Sequence, residues 1–330
     1  MRTVALSDTG RKRRHNEDMY VLGPPVFAVV DGMGGANAGE VASALAAEAL
    51  REGPREGDTG EGAVETLIQE ANQRVYRRSA EDSATSGMGT TLTVALLEDG
   101  RVRFGHVGDS RAYLVRDGEL IQLTEDHSLV GELVRSGRLA PEEAESHPQR
   151  SVITRALGTD PEVDVDTFTQ ETRSGDIFLL CSDGLYSMVD DARILALVER
   201  NRGDLDAAAR ALIGAANKAG GDDNITVVAF EITAPGEETA RLPAADPGVS
   251  RPEDEDTLTE VDRVPAVTTM VVPPEEIERI AEPAPEHAVA PFREREREDR
   301  PARRSPRRAL LIALVIAAIV AAVVIYLLSR

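Results

Sequence analysis

The sequence has 330 residues, a formal net charge of −21 at pH 7, 42% hydrophobic residues and a single cysteine. The strongly negative charge argues against non-specific binding to nucleic acid, whose phosphates would be repelled. One cysteine, Cys181, excludes an internal disulfide framework and a cysteine-rich zinc site.

Short β-branched runs alternate with longer amphipathic stretches over residues 1–231, and these patterns predict strands and helices respectively. The predicted strands are 26–30, 92–97, 102–107, 112–115, 177–181 and 225–230, and the predicted helices are 39–50, 64–80, 192–199 and 206–219. Turn signals at residues 98–100 and 117–118 favour antiparallel hairpins. Because long helical blocks separate groups of strands, we expect an α+β layered domain rather than a doubly wound parallel sheet.

The remainder of the chain has a different composition. Residues 232–308 are rich in Pro, Glu, Ala and Arg without a sustained apolar period, which predicts a disordered linker. Residues 309–328 form an uncharged apolar stretch, ALLIALVIAAIVAAVVIYLL. As a helix, such a stretch would be about 30 Å long, enough to cross the hydrocarbon core of a bilayer. We therefore predict a transmembrane helix here, a buried core helix being the alternative.

Four arginines precede this apolar stretch, at positions 303, 304, 307 and 308, and only Ser329 and Arg330 follow it. Cytoplasmic flanks of membrane helices carry an excess of basic residues. We therefore expect a single-pass protein of the cell membrane whose N-terminal domain faces the cytoplasm.

Acidic residues lie at the ends of several predicted strands. Asp31 follows the strand 26–30, Asp183 follows 177–181, and Asp223 precedes 225–230; Glu17 and Asp18 follow a basic cluster. One Asp-Gly pair after a strand is usually only a turn. Several carboxylates gathered at one sheet edge would repel one another unless cations neutralise them. An oxygen-only set favours Mn²⁺ or Mg²⁺ over zinc.

Eight motifs in order carry a resemblance to a known family. They are RRHNED (13–18), DGMGG (31–35), GTT (89–91), GDSRAYL (108–114), TEDHS (124–128), TRALG (154–158), CSDGL (181–185) and DDNIT (222–226). Over about residues 2–231 the chain closely resembles the bacterial metal-dependent protein phosphatases, the protein phosphatase 2C family. The resemblance implies a four-layer αββα sandwich of two antiparallel sheets flanked by helices.

The resemblance also implies roles for individual residues. Asp31 would bridge two central Mn²⁺ or Mg²⁺ ions, with the Gly32 carbonyl on one of them, and Asp183 and Asp223 would each hold a metal. Glu17 and Asp18 would act mainly through metal-bound waters.

Further roles follow from the same resemblance. Arg13 matches the arginine that holds the substrate phosphate, a task that suits its planar fork. Asp109 would bind a weaker third metal with Asp183, and Asn224 would orient Asp223.

The implied activity is hydrolysis of phosphoserine and phosphothreonine in proteins by a metal-bridging hydroxide. Related membrane-anchored members oppose Ser/Thr protein kinases, so we expect such kinases and their targets as partners. Two alternatives stay open: a catalytically inactive membrane-tethered binding module, and a phosphohydrolase of small molecules. The intact set Asp31, Asp183 and Asp223 argues against the first.

One departure from the family pattern concerns the general acid. Many eukaryotic members read DGHGG, whereas this chain has Met33, which cannot deliver a proton. His127 and His147 are candidates, although a structural role is the commoner one for a lone histidine. We expect His106 and Cys181 to be core residues, and residues 129–149 to form a mobile, partly helical flap beside the site.

Overall fold

The structure is a computed structural model that describes residues 1–34, 38–144 and 147–233, together with residues 270–271. All of these belong to one compact unit, Met1–Ala281. The strands are β1 (Arg2–Asp8), β2 (Asp18–Gly23), β3 (Val26–Met33), β4 (Gly89–Thr90), β5 (Leu92–Glu98), β6 (Arg101–Val107), β7 (Arg111–Arg116), β8 (Glu119–Gln122), β9 (Val152–Ile153), β10 (Asp166–Glu171), β11 (Ile177–Cys181), β12 (Ile225–Glu231) and β13 (Met270–Val271). The helices are α1 (Ala38–Arg51), α2 (Gly60–Glu81), α3 (Leu129–Arg135), α4 (Pro141–Ala144), α5 (Asp183–Tyr186), α6 (Asp191–Arg200) and α7 (Leu205–Ala219).

Two antiparallel sheets form the centre of the domain. One has the strand order β1-β12-β11-β7-β8, and the other has the order β10-β6-β5-β3-β2 with β4 paired to β3. The predicted hairpins are confirmed, since β5 pairs with β6 and β7 with β8. A third, two-strand pairing is parallel and joins β9 to β13.

A layer of aromatic side chains fills the space between the two sheets. Phe27 stacks on Phe230 with ring centroids 4.2 Å apart, and Phe230 stacks in turn on Phe178 at 5.1 Å. These rings belong to one core cluster contributed by both sheets. Burial on both faces explains why β3, β11 and β12 are continuous apolar runs rather than alternating ones.

Helices cover the outer face of each sheet. The alanine-rich α1 and the longer α2 pack on the sheet that contains β3 and β5, around Ala46, Leu50 and Ile68. Helices α6 and α7 pack on the other sheet, around Leu197 and Leu212. The predicted α+β arrangement of four αββα layers is therefore confirmed.

Comparison with the predicted elements shows where sequence patterns were informative. Every predicted strand and helix of residues 1–231 is present, with ends that differ by a few residues. The pattern did not predict β1, β2, β8 or β10, whose burial is partial and irregular. It also did not predict β13, which lies within the proposed linker.

Helices α3 and α4 fall within residues 129–149, the range predicted to form a partly helical flap. In the described ranges, no helix is long and apolar enough to span a membrane. The predicted transmembrane segment 309–328 lies outside the described residues, as does most of the predicted linker.

Candidate active site

The predicted acidic residues lie at or near the ends of strands from both sheets. Asp18 opens β2 and faces Asp31 on β3 directly in the antiparallel register. Asp183 is the first residue of α5, immediately after β11, and Asp223 lies just before β12. The fold therefore brings together carboxylates that are up to about two hundred residues apart in sequence.

Asp18 connects the two sheets. Its Oδ2 accepts hydrogen bonds from Ser182 Oγ at 2.8 Å and from Thr226 Oγ1 at 2.6 Å. Its Oδ1 is buried and has no hydrogen-bond partner within the described part of the chain. An unsatisfied buried carboxylate oxygen is costly, so this atom is a suitable ligand for a cation or a cation-bound water.

Asn224 fixes the segment that carries Arg13 and Glu17. Its side-chain Nδ2 donates to the carbonyl oxygens of Thr9 (2.9 Å) and His15 (3.0 Å), and its Oδ1 accepts from the Glu17 amide at 2.8 Å. Contact with Asp223 is made instead by the backbone amide of Asn224, which donates to Asp223 Oδ1 at 2.8 Å. Its side chain thus acts mainly on the 9–17 segment, a role that the motif alone did not predict.

Glycines allow these segments to approach closely. A Cβ on Gly32 would collide with the carbonyl oxygens of Gly39 and Glu17, and a Cβ on Gly184 would collide with the carbonyl oxygen of Asn224. A side chain at either position would push apart backbones that carry the acidic residues.

Burial and mutual repulsion raise the pKa values of Asp18, Asp31 and Asp183. Burial, followed by the charges of Asp18 and Asp183, raises the pKa of Asp31 well above its ordinary range. Burial and the charges of Asp223 and Asp109 do the same for the pKa of Asp183. For Asp18, burial raises the pKa to about 6 although Thr226 and Ser182 donate hydrogen bonds to it. The fold thus holds acids whose full ionisation requires positive charge nearby.

Arg13 supplies part of that positive charge. Its Nη2 donates to Asp223 Oδ2 at 2.7 Å, and its Nη1 lies 4.0 Å from Glu17 Oε2. The predicted phosphate-binding arginine therefore lies at the carboxylate cluster, in contact with two of the predicted metal-binding residues.

Asp109 lies in the turn between β6 and β7 and is buried. Burial and the charge of Asp126 raise its pKa to about 7. The Tyr186 hydroxyl donates to the Asp109 carbonyl oxygen at 3.0 Å, and the Arg111 guanidinium lies 3.7 Å from the centroid of the Tyr186 ring. Arg111 also donates to both carboxylate oxygens of Asp126, at 2.9 and 2.7 Å.

Sequence reasoning assigned no role to Tyr186 or Arg111. Arg111 is inside the GDSRAYL motif and Tyr186 directly follows CSDGL, so their positions were visible in the sequence. The contact between the Arg111 guanidinium and the Tyr186 ring could not be seen in the sequence, because it depends on how α5 packs beside β7.

The remaining candidate residues, His106, His127 and Met33, lie in buried, hydrogen-bonded or apolar surroundings. His106 is fully buried, which confirms the core prediction, and burial lowers its pKa to about 3. His127 Nδ1 accepts from the Gly108 amide at 3.0 Å and its Nε2 lies 3.1 Å from Asp166 Oδ2. Met33 packs in a small apolar cluster with Ile153 and Ala156.

The sequence also singled out His147 and Cys181. His147 Nδ1 accepts a hydrogen bond from the Gln149 amide at 3.2 Å, a local contact inside the flap range. Cys181 is fully buried and burial raises the pKa of its thiol to about 12, which confirms a core residue rather than a nucleophile.

The chemistry of the acidic cluster fits hard divalent cations. All of its side-chain donors are oxygens, Asp18 Oδ1 is an unsatisfied buried acceptor, and the carboxylates repel one another. As the side chains stand, no group of three or more His, Cys, Asp or Glu residues in the described ranges could hold an ion. The hydrogen bonds to Asp18 and the Arg13–Asp223 pair engage oxygens that a cation would use, so small side-chain rotations must accompany binding.

Comparison with known proteins agrees with this fold. The family model described as "Protein phosphatase 2C" matches residues 15–214. The serine/threonine phosphatase stp of Listeria monocytogenes is 40% identical over 236 residues, covering 68% of this chain and 93% of the relative. The serine/threonine protein phosphatase PstP of Mycobacterium tuberculosis is 42% identical over 234 residues, covering 70% of this chain and 45% of that protein.

Solved structures give the same result. A crystal structure of the Mycobacterium tuberculosis serine/threonine phosphatase PstP/Ppp superposes with a TM-score of 0.67 at 42% identity, covering 71% of this chain and 99% of that one. A PstP catalytic domain in complex with two manganese ions superposes with a TM-score of 0.65 at 39% identity, covering 71% of this chain and 98% of that one.

A two-sheet αββα domain with a partly buried carboxylate cluster at strand ends of both sheets places the chain in the class of metal-dependent phosphohydrolases. Within that class, the chain belongs to the protein phosphatase 2C family.

Proposed function

We propose that this chain is a metal-dependent protein serine/threonine phosphatase. The observation that carries the proposal is the convergence of Asp18, Asp31, Asp183 and Asp223 beside Arg13. Relatives that are 40–42% identical are named serine/threonine phosphatases, which supports the same reaction here.

Asp31, Asp183 and Asp223 would hold two Mn²⁺ or Mg²⁺ ions, with Glu17, Asp18 and the Gly32 carbonyl nearby. When bound, such ions supply a nucleophile from water at neutral pH and neutralise charge on the phosphoryl oxygens.

The chain's own residues do the rest. Arg13 presents a planar guanidinium at the cluster, suited to bidentate binding of two phosphoryl oxygens. Ser182 and Thr226 keep Asp18 oriented, and Asn224 holds the segment that bears Arg13, so the site is preorganised. Partial burial of the cluster lowers the local dielectric and strengthens these charge interactions.

Asp109 is proposed to bind a weaker third ion together with Asp183. The mutual charge interaction of the two carboxylates supports their proximity. The Tyr186 hydroxyl, through the Asp109 carbonyl, and the Arg111–Asp126 pair would keep that acid in place.

The experiment that tests the proposal measures phosphate release from phosphothreonine peptides as a function of Mn²⁺ concentration. Asp31→Asn should lower kcat by about a hundredfold to a thousandfold, as expected when a group central to transition-state stabilisation is removed. Asp206→Asn, on the exposed face of α7, is the matched carboxylate control and should retain full activity.

Two results would favour the alternatives. Inactivity of the wild-type chain across metals and pH would favour the tethered binding module. Faster turnover of phosphorylated metabolites than of phosphoproteins would favour a small-molecule phosphohydrolase.

The cellular setting is a separate part of the proposal. We propose that residues 309–328 anchor the chain in the cell membrane with the catalytic domain in the cytoplasm, where it reverses the action of membrane-bound Ser/Thr protein kinases. The charge-free apolar stretch and its arginine flank support this. Retention of the full chain in carbonate-washed membranes, and its release on deletion of 309–328, would test the anchor.

A test of the kinase partners is to compare phosphoproteins in cells with and without the chain. Sites on membrane kinases and their targets should gain phosphate when the chain is removed, and Asp31→Asn should fail to reverse that gain.

A further inference from the structure

A strand from the predicted linker pairs with the catalytic domain. Met270 and Val271 form β13, which pairs in parallel with Val152 and Ile153 of β9. The rest of residues 234–330 lies outside the described part of the chain, so this pairing is the described contact between that region and the domain.

Strand β9 closes the flap range. On one edge, Ile153 is bridged to Ser128, the N-cap of the flap helix α3, and the Thr154 amide donates to the His127 carbonyl at 2.9 Å. The flap thus leaves the domain at Ser128 and returns at β9. The opposite edge of β9 is the one that β13 occupies.

Contacts continue from β9 to the acidic cluster. The Ile153 side chain is 2% exposed and packs with Met33, two residues after Asp31. A little further along, Leu157 pairs with Thr90, whose Oγ1 donates to the Asp31 carbonyl oxygen at 2.7 Å. A displacement of β9 would therefore be transmitted to the Asp31 backbone by two routes, through Met33 and through Thr90.

The sequence around β13 differs from the rest of the linker. Residues 264–274 read VPAVTTMVVPP and form the longest stretch without a charged residue between positions 232 and 308. Val and Thr favour extended backbone, and the flanking prolines limit how far a strand can continue. The composition is that of a short strand placed inside an otherwise charged spacer.

We propose that the outer edge of β9 is a strand-docking surface whose occupant is the chain's own Met270–Val271 segment, and that docking there stabilises the base of the flap beside the active site. A peptide that adds a strand to an exposed sheet edge gains main-chain hydrogen bonds without needing a deep pocket.

The tether makes a short pairing sufficient. About 40 residues separate β12 from β13 in the sequence, and a random coil of that length has an end-to-end distance of about 35 Å, which corresponds to an effective concentration in the millimolar range. A two-residue ladder is weak by itself, so docking under these conditions is reversible. Reversibility is what a regulatory contact at a flap requires.

The Ile153 amide is the reporter of docking. The neighbouring amides are engaged elsewhere, Val152 with the Gln149 carbonyl at 3.2 Å and Thr154 with that of His127. Because amides alternate between the two edges of a strand, the Ile153 amide faces β13.

The test is hydrogen exchange on the full chain, comparing wild type with the double variant Met270→Pro/Val271→Pro. Proline removes the backbone donor and restricts φ, so one of the two substitutions disrupts the pairing whichever way each amide points. Exchange at Ile153 should be about twofold to tenfold faster in the variant, the change expected from loss of one main-chain hydrogen bond.

The matched control is Ala244→Pro/Ala245→Pro, which adds two prolines to the same linker away from β13. It should leave exchange at Ile153 at the wild-type rate. A synthetic peptide of residues 264–274, added at a concentration above the millimolar range that the tether provides, should restore protection to the Met270→Pro/Val271→Pro chain. Equal exchange at Ile153 in wild type and the double variant would overturn the proposal, and because the readout is exchange, that result is independent of whether the chain is an active phosphatase.

Discussion

Arg13 and Asp223 form an ion pair of 2.7 Å at the carboxylate cluster, with their side chains 21% and 26% exposed. The predicted phosphate-binding residue is thus in direct contact with a predicted metal-binding residue. A cation and a guanidinium cannot both use the same carboxylate oxygen fully, so metal binding at Asp223 should free the Arg13 guanidinium for the substrate.

This relationship predicts opposite effects of one substitution. Arg13→Ala removes a positive charge that competes at Asp223, so Mn²⁺ should bind a few-fold more tightly by calorimetry. The same change should raise KM for phosphopeptides by roughly tenfold or more, as expected when a charge-assisted bidentate contact is lost.

Lys12→Ala is the control for that experiment, because Lys12 lies next in sequence and pairs with the half-exposed Asp222 at 2.8 Å. Lys12→Ala should change neither the Mn²⁺ affinity nor the KM for phosphopeptides appreciably. Weaker Mn²⁺ binding by the Arg13→Ala protein would contradict the competition.

The raised pKa values of the cluster predict an unusual pH dependence for the metal-free protein. Burial raises the pKa of Asp18 to about 6 and that of Asp109 to about 7. Both exceed the value of about 3.9 for an aspartate in an unfolded chain, so between these values the folded state binds more protons than the unfolded state. The stability contributed by these groups is complete below about pH 4 and is lost as the pH rises through 6 and 7.

Thermal unfolding in EDTA should therefore show a higher Tm at pH 5 than at pH 8. Saturating Mn²⁺ should raise the Tm most at pH 8, where the carboxylates are ionised. Asp109→Asn should make the Tm in EDTA depend less steeply on pH. A metal-free Tm that increases steadily from pH 5 to pH 8 would argue against a repulsive acidic cluster.

Asp31, Asp183 and Asp223 could be proposed as site residues from the sequence because each adjoins an element with a strong local signal. Asp31 and Asp183 follow continuous apolar strands, and such strands are recognisable without any tertiary information. The partners that fix the acids were harder to find. Ser182 and Thr226 bond to Asp18 across two sheets, and that contact exists only once β2, β11 and β12 are placed together.

The fold was predictable to a similar extent. Strands buried on both faces and helices with a clear apolar side were found. The edge strands β8 and β10 were missed because at least half of each is exposed, so their pattern is close to that of a loop. Strand β13 has only two residues, too few for any periodicity to reveal.

Arg111 is predicted to depend on its shape as well as its charge. It forms a two-pronged contact with Asp126 and lies over the Tyr186 ring, 3.7 Å from its centroid. Arg111→Lys keeps the charge but loses both the fork and the stacking, so we expect a loss of about 2 kcal/mol in the free energy of unfolding.

The matched substitution is Arg101→Lys, since Arg101 pairs with Glu171 in a contact whose side chains are 49% and 71% exposed. Exposed pairs contribute little, so the change should be within about 0.5 kcal/mol. Urea unfolding of Arg111→Lys and Arg101→Lys measures the two losses of stability. Equal losses would mean that the Arg111 contacts add no stability beyond that of an ordinary surface pair.

Gly184 and Gly214 differ in the space around them. A Cβ at Gly184 would collide with the carbonyl oxygen of Asn224, the residue that holds the 9–17 segment, whereas a Cβ at Gly214 in the middle of α7 would meet no atom within 4 Å. Gly184→Ala should therefore separate Asp183 from the Asp223–Asn224 turn, lowering both the free energy of unfolding and the affinity for Mn²⁺.

Gly214→Ala should instead raise the free energy of unfolding by about 0.5–1 kcal/mol, because alanine loses less backbone entropy than glycine in a helix. The measurement is urea unfolding with and without Mn²⁺ for both variants. The stabilisation by Mn²⁺ should be smaller in Gly184→Ala than in wild type and unchanged in Gly214→Ala. If Gly184→Ala lost stability but kept the full Mn²⁺ effect, the close approach at Gly184 would support the fold without positioning the metal-binding carboxylates.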